Sequence, residues 1–190
     1  MGFPTSLNRV SSRSLNVLFV CTANVCRSPL AAGLMAYHAS KRGVSINVAS
    51  GSLEHEVRGI HPTTVQMLTQ RGVSLGRDQS QPLSEALVAG ADLVLVMTAD
   101  HAKGVVGRFP AARAKTFLLN HLTTVLAPAS ADESIDQWLR SVWATQRDYS
   151  RDESWDIADP NKQSHELYVE VEGEIDLAVS WLTDIVSTIG

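Results

Sequence analysis

Only two of the 190 residues are cysteine, and both, Cys21 and Cys26, stand in one short stretch. Two thiols five positions apart cannot build the disulfide framework of a small secreted fold, which points to a reducing, cytoplasmic setting. No run approaches the roughly 18 consecutive apolar residues of a membrane span, so no membrane partner is expected. Lysine and arginine never gather into a basic run or interleave with the sparse aromatics (6%), which argues against nucleic acid. The six histidines show no ligand spacing with Cys, Asp or Glu, so neither a metal nor a cofactor is expected. The first residues, "MGFPTSLNRVSSRSLN", lack the apolar core of a secretory signal, and residues 1–14 read as a disordered leader.

What is present is ordinary globular composition, 44% hydrophobic and 19% charged, enough for one domain over residues 15–190. The net charge of −4 is unevenly spread: residues 1–130 hold 12 Lys/Arg against 6 Asp/Glu, residues 131–190 hold 4 against 14. The acidic end reads as the solvated face of a last helix, and the positive part suits an anionic ligand.

Elements alternate along the chain. Val17–Val20 is a continuous apolar run of the kind that buried parallel strands show. Ser28 and Pro29 suit a helix N-cap and first helical residue, and Leu30, Ala31, Leu34, Met35 and His38 trace a stripe ended by Gly43. "VSINVAS" (44–50) predicts a second strand and "HPTTVQMLTQRG" (61–72) a second helix. "SEALVAG" predicts a short helix, "ADLVLVM" a third strand and "KTFLLN" a fourth. Residues 122–156 form an insertion-like segment in which "IDQWLRSVWATQR" reads as a helix, its Trp138, Leu139, Val142 and Trp143 facing either the core or a partner groove. Tyr168, Val171, Ile175, Ala178, Leu182 and Ile185 mark a long amphipathic helix over 164–187. Such strand–helix alternation predicts an open, three-layer α/β sheet.

The chemistry concentrates in "CTANVCRS", a C-x5-R stretch between the first strand and helix. Ligands of open α/β sheets bind beyond the carboxyl ends of strands, and a helix N-terminus there offers free N–H groups to an anion. The loop amides of Thr22, Ala23, Asn24, Val25 and Cys26 suit a nest for one tetrahedral oxyanion such as phosphate. Arg27 adds a planar fork for two of its oxygens. A free thiol is only a few per cent ionised at neutral pH. Amides, Arg27 and a hydrogen bond from Ser28 would favour a Cys21 thiolate able to attack phosphorus and form a phosphocysteine.

"VLFVCTANVCRSPLAAGL" resembles the N-terminal signature of the low-molecular-weight protein tyrosine phosphatases, a V-C-x-x-N-x-C-R-S-P core. "RGVSL" with "QPLSEALVAGADLVLVM" resembles the family's middle, and "DIADP" before a C-terminal helix resembles its end. The resemblance implies a flavodoxin-like fold with a four-stranded parallel sheet and helices on both faces, and a tyrosine-phosphorylated protein as substrate. It implies Cys21 as nucleophile, Arg27 as phosphate clamp, Asn24 and Ser28 as loop organisers, and Asp159 as general acid and base. A phenolate of pKa about 10 is a poor leaving group at neutral pH, so protonation by a carboxyl fits. The resemblance also implies Cys26 as a reversible redox partner of Cys21; a small apolar filler is its other reading.

The resemblance frays at the pocket mouth. Asn161 and Lys162 follow Asp159-Pro160 where the family often places aromatics, and "GSLEHEV" brings Leu53 and His55 where another is common. Tyr149 or Trp155 would have to supply the missing ring. Asp78 and Gln81 replace a His and an Arg that the family carries before the third strand. An arsenate reductase of the same fold, coupled to a low-molecular-weight thiol, is the alternative enzyme. Its thioredoxin-coupled form needs a cysteine after Cys26, and there is none. A phosphoprotein-binding module without turnover is the non-enzymatic alternative.

Overall fold

Alternation at period two decides how the sheet is filled. In strand β1 (Leu15–Cys21), Leu15, Val17, Phe19 and Cys21 enter one cluster, while Leu18 and Val20 enter another on the opposite face. The third strand, β3 (Leu93–Val96), divides the same way, with Leu93 and Leu95 on the first face and Val94 and Val96 on the second. A strand buried on both faces belongs at the centre of a parallel sheet.

This computed structural model describes residues 13–74, 80–126, 129–147 and 154–189. Between and beyond these strands run α1 (Arg27–Arg42), β2 (Ile46–Ser52), α2 (Pro62–Gln70) and α3 (Glu85–Gly90). After β3 come α4 (Ala99–Arg108), a 3₁₀ turn (Pro110–Lys115) and β4 (Thr116–Leu118). Then follow α5 (Leu119–Val125), α6 (Ile135–Ala144) and α7 (His165–Thr188). All strand pairs are parallel, in the order β2-β1-β3-β4. The fold is flavodoxin-like, as expected. Residues of α1, α5, α6 and α7 fill one face; residues of α3 and α4 fill the other.

The chain leaves β1 toward β2 on one side and later returns to β3 on the other. That reversal opens a crevice beyond the carboxyl end of β1, where open α/β sheets hold ligands. The residue at that end is Cys21.

Several boundaries differ from expectation. Helix α1 begins two residues earlier than a Ser28 cap would set it: Cys26 is the N-cap residue and gives no side-chain bond. The Ser28 hydroxyl is spent on the cysteine loop instead. "KTFLLN" keeps only three residues as strand, because Leu119 already starts α5. Helix α4 went unread between the third and fourth strands, although Thr98 caps it through His101 N and Ala99, Ala102 and Val105 bury one stripe.

The two faces of the acidic C-terminal helix also need correction. Its carboxylates are not simply solvated: Asp176 meets His38, Asp184 meets Arg42, and Glu172 meets Arg71. Each such pair is worth about 0–1 kcal/mol, so packing of Val171, Ile175, Ala178 and Leu182 does most of the holding. No helix among the described residues is long and apolar enough to cross a membrane.

Within 122–156, α6 resolves the ambiguity of its tryptophan stripe. Trp138, Leu139 and Val142 lie in the main core, so the partner-groove reading falls away. A Ser134/Gln137 capping box starts the helix, and Trp143 Nε1 donates to the Asp92 carbonyl. Trp138 is 2% exposed. Trp138→Ala should therefore cost about 3–5 kcal/mol in urea unfolding. A loss under about 1 kcal/mol would mean that α6 is peripheral to the core.

Candidate active site

The loop between β1 and α1 is shaped from outside by its carbonyls. Cys21 O accepts from Leu53 N (3.1 Å), Thr22 O from Glu54 N (3.0 Å) and from Ser52 Oγ (2.7 Å). Ala23 O accepts from Ser80 Oγ (3.2 Å), Val25 O from His61 N (2.9 Å), and Cys26 O from Leu30 N (3.1 Å). With the carbonyls turned outward and engaged, the amides of residues 22–26 are left for the inside of the turn. That is the geometry of an anion nest.

Asn24 makes the turn possible. Its φ of 53° is left-handed, a region that Asn tolerates better than most residues. The side chain is fully buried; Oδ1 accepts from Gln81 N (3.1 Å) and Nδ2 donates to Ser28 Oγ (2.9 Å). Ser28 Oγ lies 3.0 Å from Cys21 Sγ. A thiolate can only accept, so toward it the Ser28 hydroxyl is the donor, and a directed chain runs from Asn24 through Ser28 to the sulfur.

Arg27 is buried and aimed. Its Nη1 donates to Ile157 O (2.9 Å) and its Nη2 to Asp159 Oδ2 (2.7 Å). Asp159 is half exposed, and its Oδ1 accepts from Asn161 N (3.1 Å). Cys21, Arg27 and Asp159, far apart in the chain, thus line one pocket of about 170 Å³. Glu54, Arg58 and Asn161 complete its rim. Arg58 pairs with both Glu54 (3.1 Å) and Glu56 (2.9 Å).

The sequence points to Asn161 at the pocket mouth but not to Glu54 or Arg58. Glu54 and Arg58 stand four apart in the loop after β2, a spacing that would have flagged an ion pair but not its place. Gln81 does hold the loop, through its backbone amide rather than its side chain, whose amide donates to Ser50 O (3.2 Å). Trp155 supplies no ring to the pocket: it packs edge-on against His121, centroids 5.5 Å apart. Asp78 and Tyr149 lie outside the described residues, as do leader residues 1–12. A larger cavity of about 540 Å³ lies between α1 and β2, lined by residues such as Ala32, Val48 and Ser50 with no ionisable group.

The family model for low molecular weight phosphotyrosine protein phosphatase matches residues 16–136. The chain belongs to this family. Among curated relatives, a protein-arginine-phosphatase of Bacillus subtilis (strain 168) is 36% identical over 111 residues, 58% of this chain and 73% of that protein. The low molecular weight protein-tyrosine-phosphatase Etp of Escherichia coli (strain K12) is 27% identical over 166 residues, covering 86% and 88%. Among solved structures, a cysteine-to-serine mutant of YwlE arginine phosphatase with a phosphorylated active-site serine superposes with a TM-score of 0.67. It is 26% identical, covering 89% of this chain and 93% of that one. Membership of this family supports a protein phosphatase activity.

In the phosphatase loop, Cys26 is a different thiol from Cys21. It is buried and shares a 2.7 Å hydrogen bond with Tyr168 Oη, whose ring stacks on His61. Burial pushes its pKa up to about 11, only partly opposed by Tyr168. Burial disfavours the thiolate, so the reactive form emerges only as pH climbs toward that value. Iodoacetamide at pH 8 should leave Cys26 unmodified in the folded protein and modify it after unfolding, read by peptide mass mapping. Labelling of folded Cys26 at pH 8 would contradict this assignment.

Proposed function

We propose that the chain is a protein tyrosine phosphatase that works through a phosphocysteine on Cys21. The observation that carries this reading is the directed chain Asn24–Ser28–Cys21 inside a loop whose Cys21, Thr22, Ala23, Val25 and Cys26 carbonyls are engaged by neighbouring groups. The sulfur attacks phosphorus, the P–O bond to the tyrosine oxygen breaks, and Asp159 in its acid form gives that oxygen a proton. A water then attacks phosphorus while Asp159, now carboxylate, takes its proton. The S–P bond breaks, returning the thiolate and inorganic phosphate. The loop amides and Arg27 hold the equatorial oxygens throughout, where charge changes least in position and preorganised donors act best. No step requires a metal or cofactor.

A second reading, phosphoarginine as substrate, is favoured by one feature of the pocket. Among the described residues no aromatic ring lines it, while two carboxylates, Glu54 and Asp159, do. A guanidinium leaving group is better served by carboxylates than by ring stacking. The similarity to protein-arginine-phosphatases points the same way.

Three measurements test these readings. Cys21→Ser should abolish p-nitrophenyl phosphate turnover and retain phosphate binding; residual turnover near wild type would remove Cys21 as nucleophile. Asp159→Asn should slow phenyl phosphate by about 10²–10⁴ and p-nitrophenyl phosphate much less, since only the poorer leaving group needs the proton. Equal slowing would exclude Asp159 as the acid. The wild-type kcat/KM on paired phosphotyrosine and phosphoarginine peptides decides between the substrates.

A further inference from the structure

His101 lies outside the signature loop, on the first turn of α4, and is 5% exposed. Its Nε2 stands 2.8 Å from Thr22 Oγ1, and its Nδ1 has no partner among the described residues. A proton on Nδ1 would bury a donor with nothing to receive it, which costs more than a bare acceptor. The proton therefore sits on Nε2, and His101 donates to Thr22. The pKa of His101 is lowered to about 4, by burial first and by Arg27 second, so the ring is neutral at physiological pH.

The consequence falls on Thr22. Its carbonyl is already fixed by Ser52 and Glu54, and its side chain is exposed at the pocket. With one lone pair of Oγ1 taken by the imidazole, the hydroxyl hydrogen cannot point at His101 and turns toward the pocket side. The close approach of α4 secures the pairing. A Cβ at Gly104, one turn beyond His101, would sit 2.8 Å from Leu53 Cδ1, so glycine lets the helix press against the loop beside Thr22.

We propose that the Thr22 hydroxyl is a further donor to the bound phosphoryl group, and that neutral His101 is the positioning residue that aims it. This rests on the phosphatase reading of the same pocket. The contact exists in the ground state and the transition state alike, so its loss raises KM and leaves kcat nearly unchanged.

The test uses p-nitrophenyl phosphate turnover with inorganic phosphate as competitive inhibitor. Thr22→Val, isosteric and at an exposed position, should weaken phosphate inhibition about tenfold, as expected for a hydrogen bond to a charged group. His101→Leu should match it, His101→Gln should recover most of the affinity, and Thr22→Val/His101→Leu should be no worse than either single variant. An unchanged phosphate inhibition constant in Thr22→Val, or additive losses in the double variant, would overturn the proposal. So would a His101→Leu loss that appears in kcat and is not recovered by Gln. A wild-type protein without turnover would sink the phosphatase reading and this proposal with it, whereas an active wild type with unaffected variants would sink this proposal alone.

Discussion

The left-handed backbone of Asn24 is the constraint on which the site depends. Holding a non-glycine residue there costs about 1–2 kcal/mol. Two buried hydrogen bonds, from Gln81 N and to Ser28 Oγ, return about 0.5–1.5 kcal/mol each. The near balance explains why Asn and not Gly suits the position: glycine would remove the strain but also both bonds. Ser28 would then lose the partner that orders its hydroxyl beneath the sulfur. One residue thus fixes the turn, the direction of the amides and the donor on Cys21.

The sheet supplies what that turn needs from outside. Because β1 lies between β2 and β3, its exit is flanked by the ends of both neighbours. The residues after β2 reach over to bond Cys21 O and Thr22 O, and the segment before α3 brings Ser80 and Gln81 to Ala23 and Asn24. The segment before α7 brings Ile157 and Asp159 to Arg27. The cradle is therefore held by several separate stretches of chain that meet at the same end of the sheet. A loop anchored in this way keeps its shape when a dianion arrives, and preorganisation of that kind is where phosphoryl-transfer catalysts gain most.

Much of this was legible beforehand, for physical reasons. The apolar run of β1 and the α7 stripe each have a period or a composition that admits one structural reading, and the abrupt C-x5-R turn marks where the loop falls between strand and helix. What escaped was set by contacts across the fold. Ser28 reads as a helix cap because caps are local, yet its hydroxyl is drawn to Cys21 and Asn24. Helix α4 carries a Thr cap but also Gly104 and Gly107, which weaken its pattern, and so His101 was passed over. Glu54 and Arg58 sit in a loop whose placement depends on β2 pairing with β1, which no local signal states.

The floor and the rim of the pocket answer different questions. The floor, Cys21 with Arg27 and the loop amides, suits any phosphoryl group and is silent about what it is attached to. The rim decides the leaving group, and it is polar: Glu54, Arg58, Asp159 and Asn161. A phenol ring would gain little apolar contact there. A substrate guanidinium would have to displace a guanidinium already present, since Arg58 holds Glu54 and Arg27 holds Asp159. Exchanging one such pair for another is close to neutral at a half-exposed rim, where ion pairs are worth about 0–1 kcal/mol. Ground-state attraction at the rim therefore favours a guanidinium over a phenol only modestly. On the proposed mechanism the larger part of the selectivity comes from the proton that Asp159 would deliver as the bond to phosphorus breaks, an interaction that strengthens in the transition state.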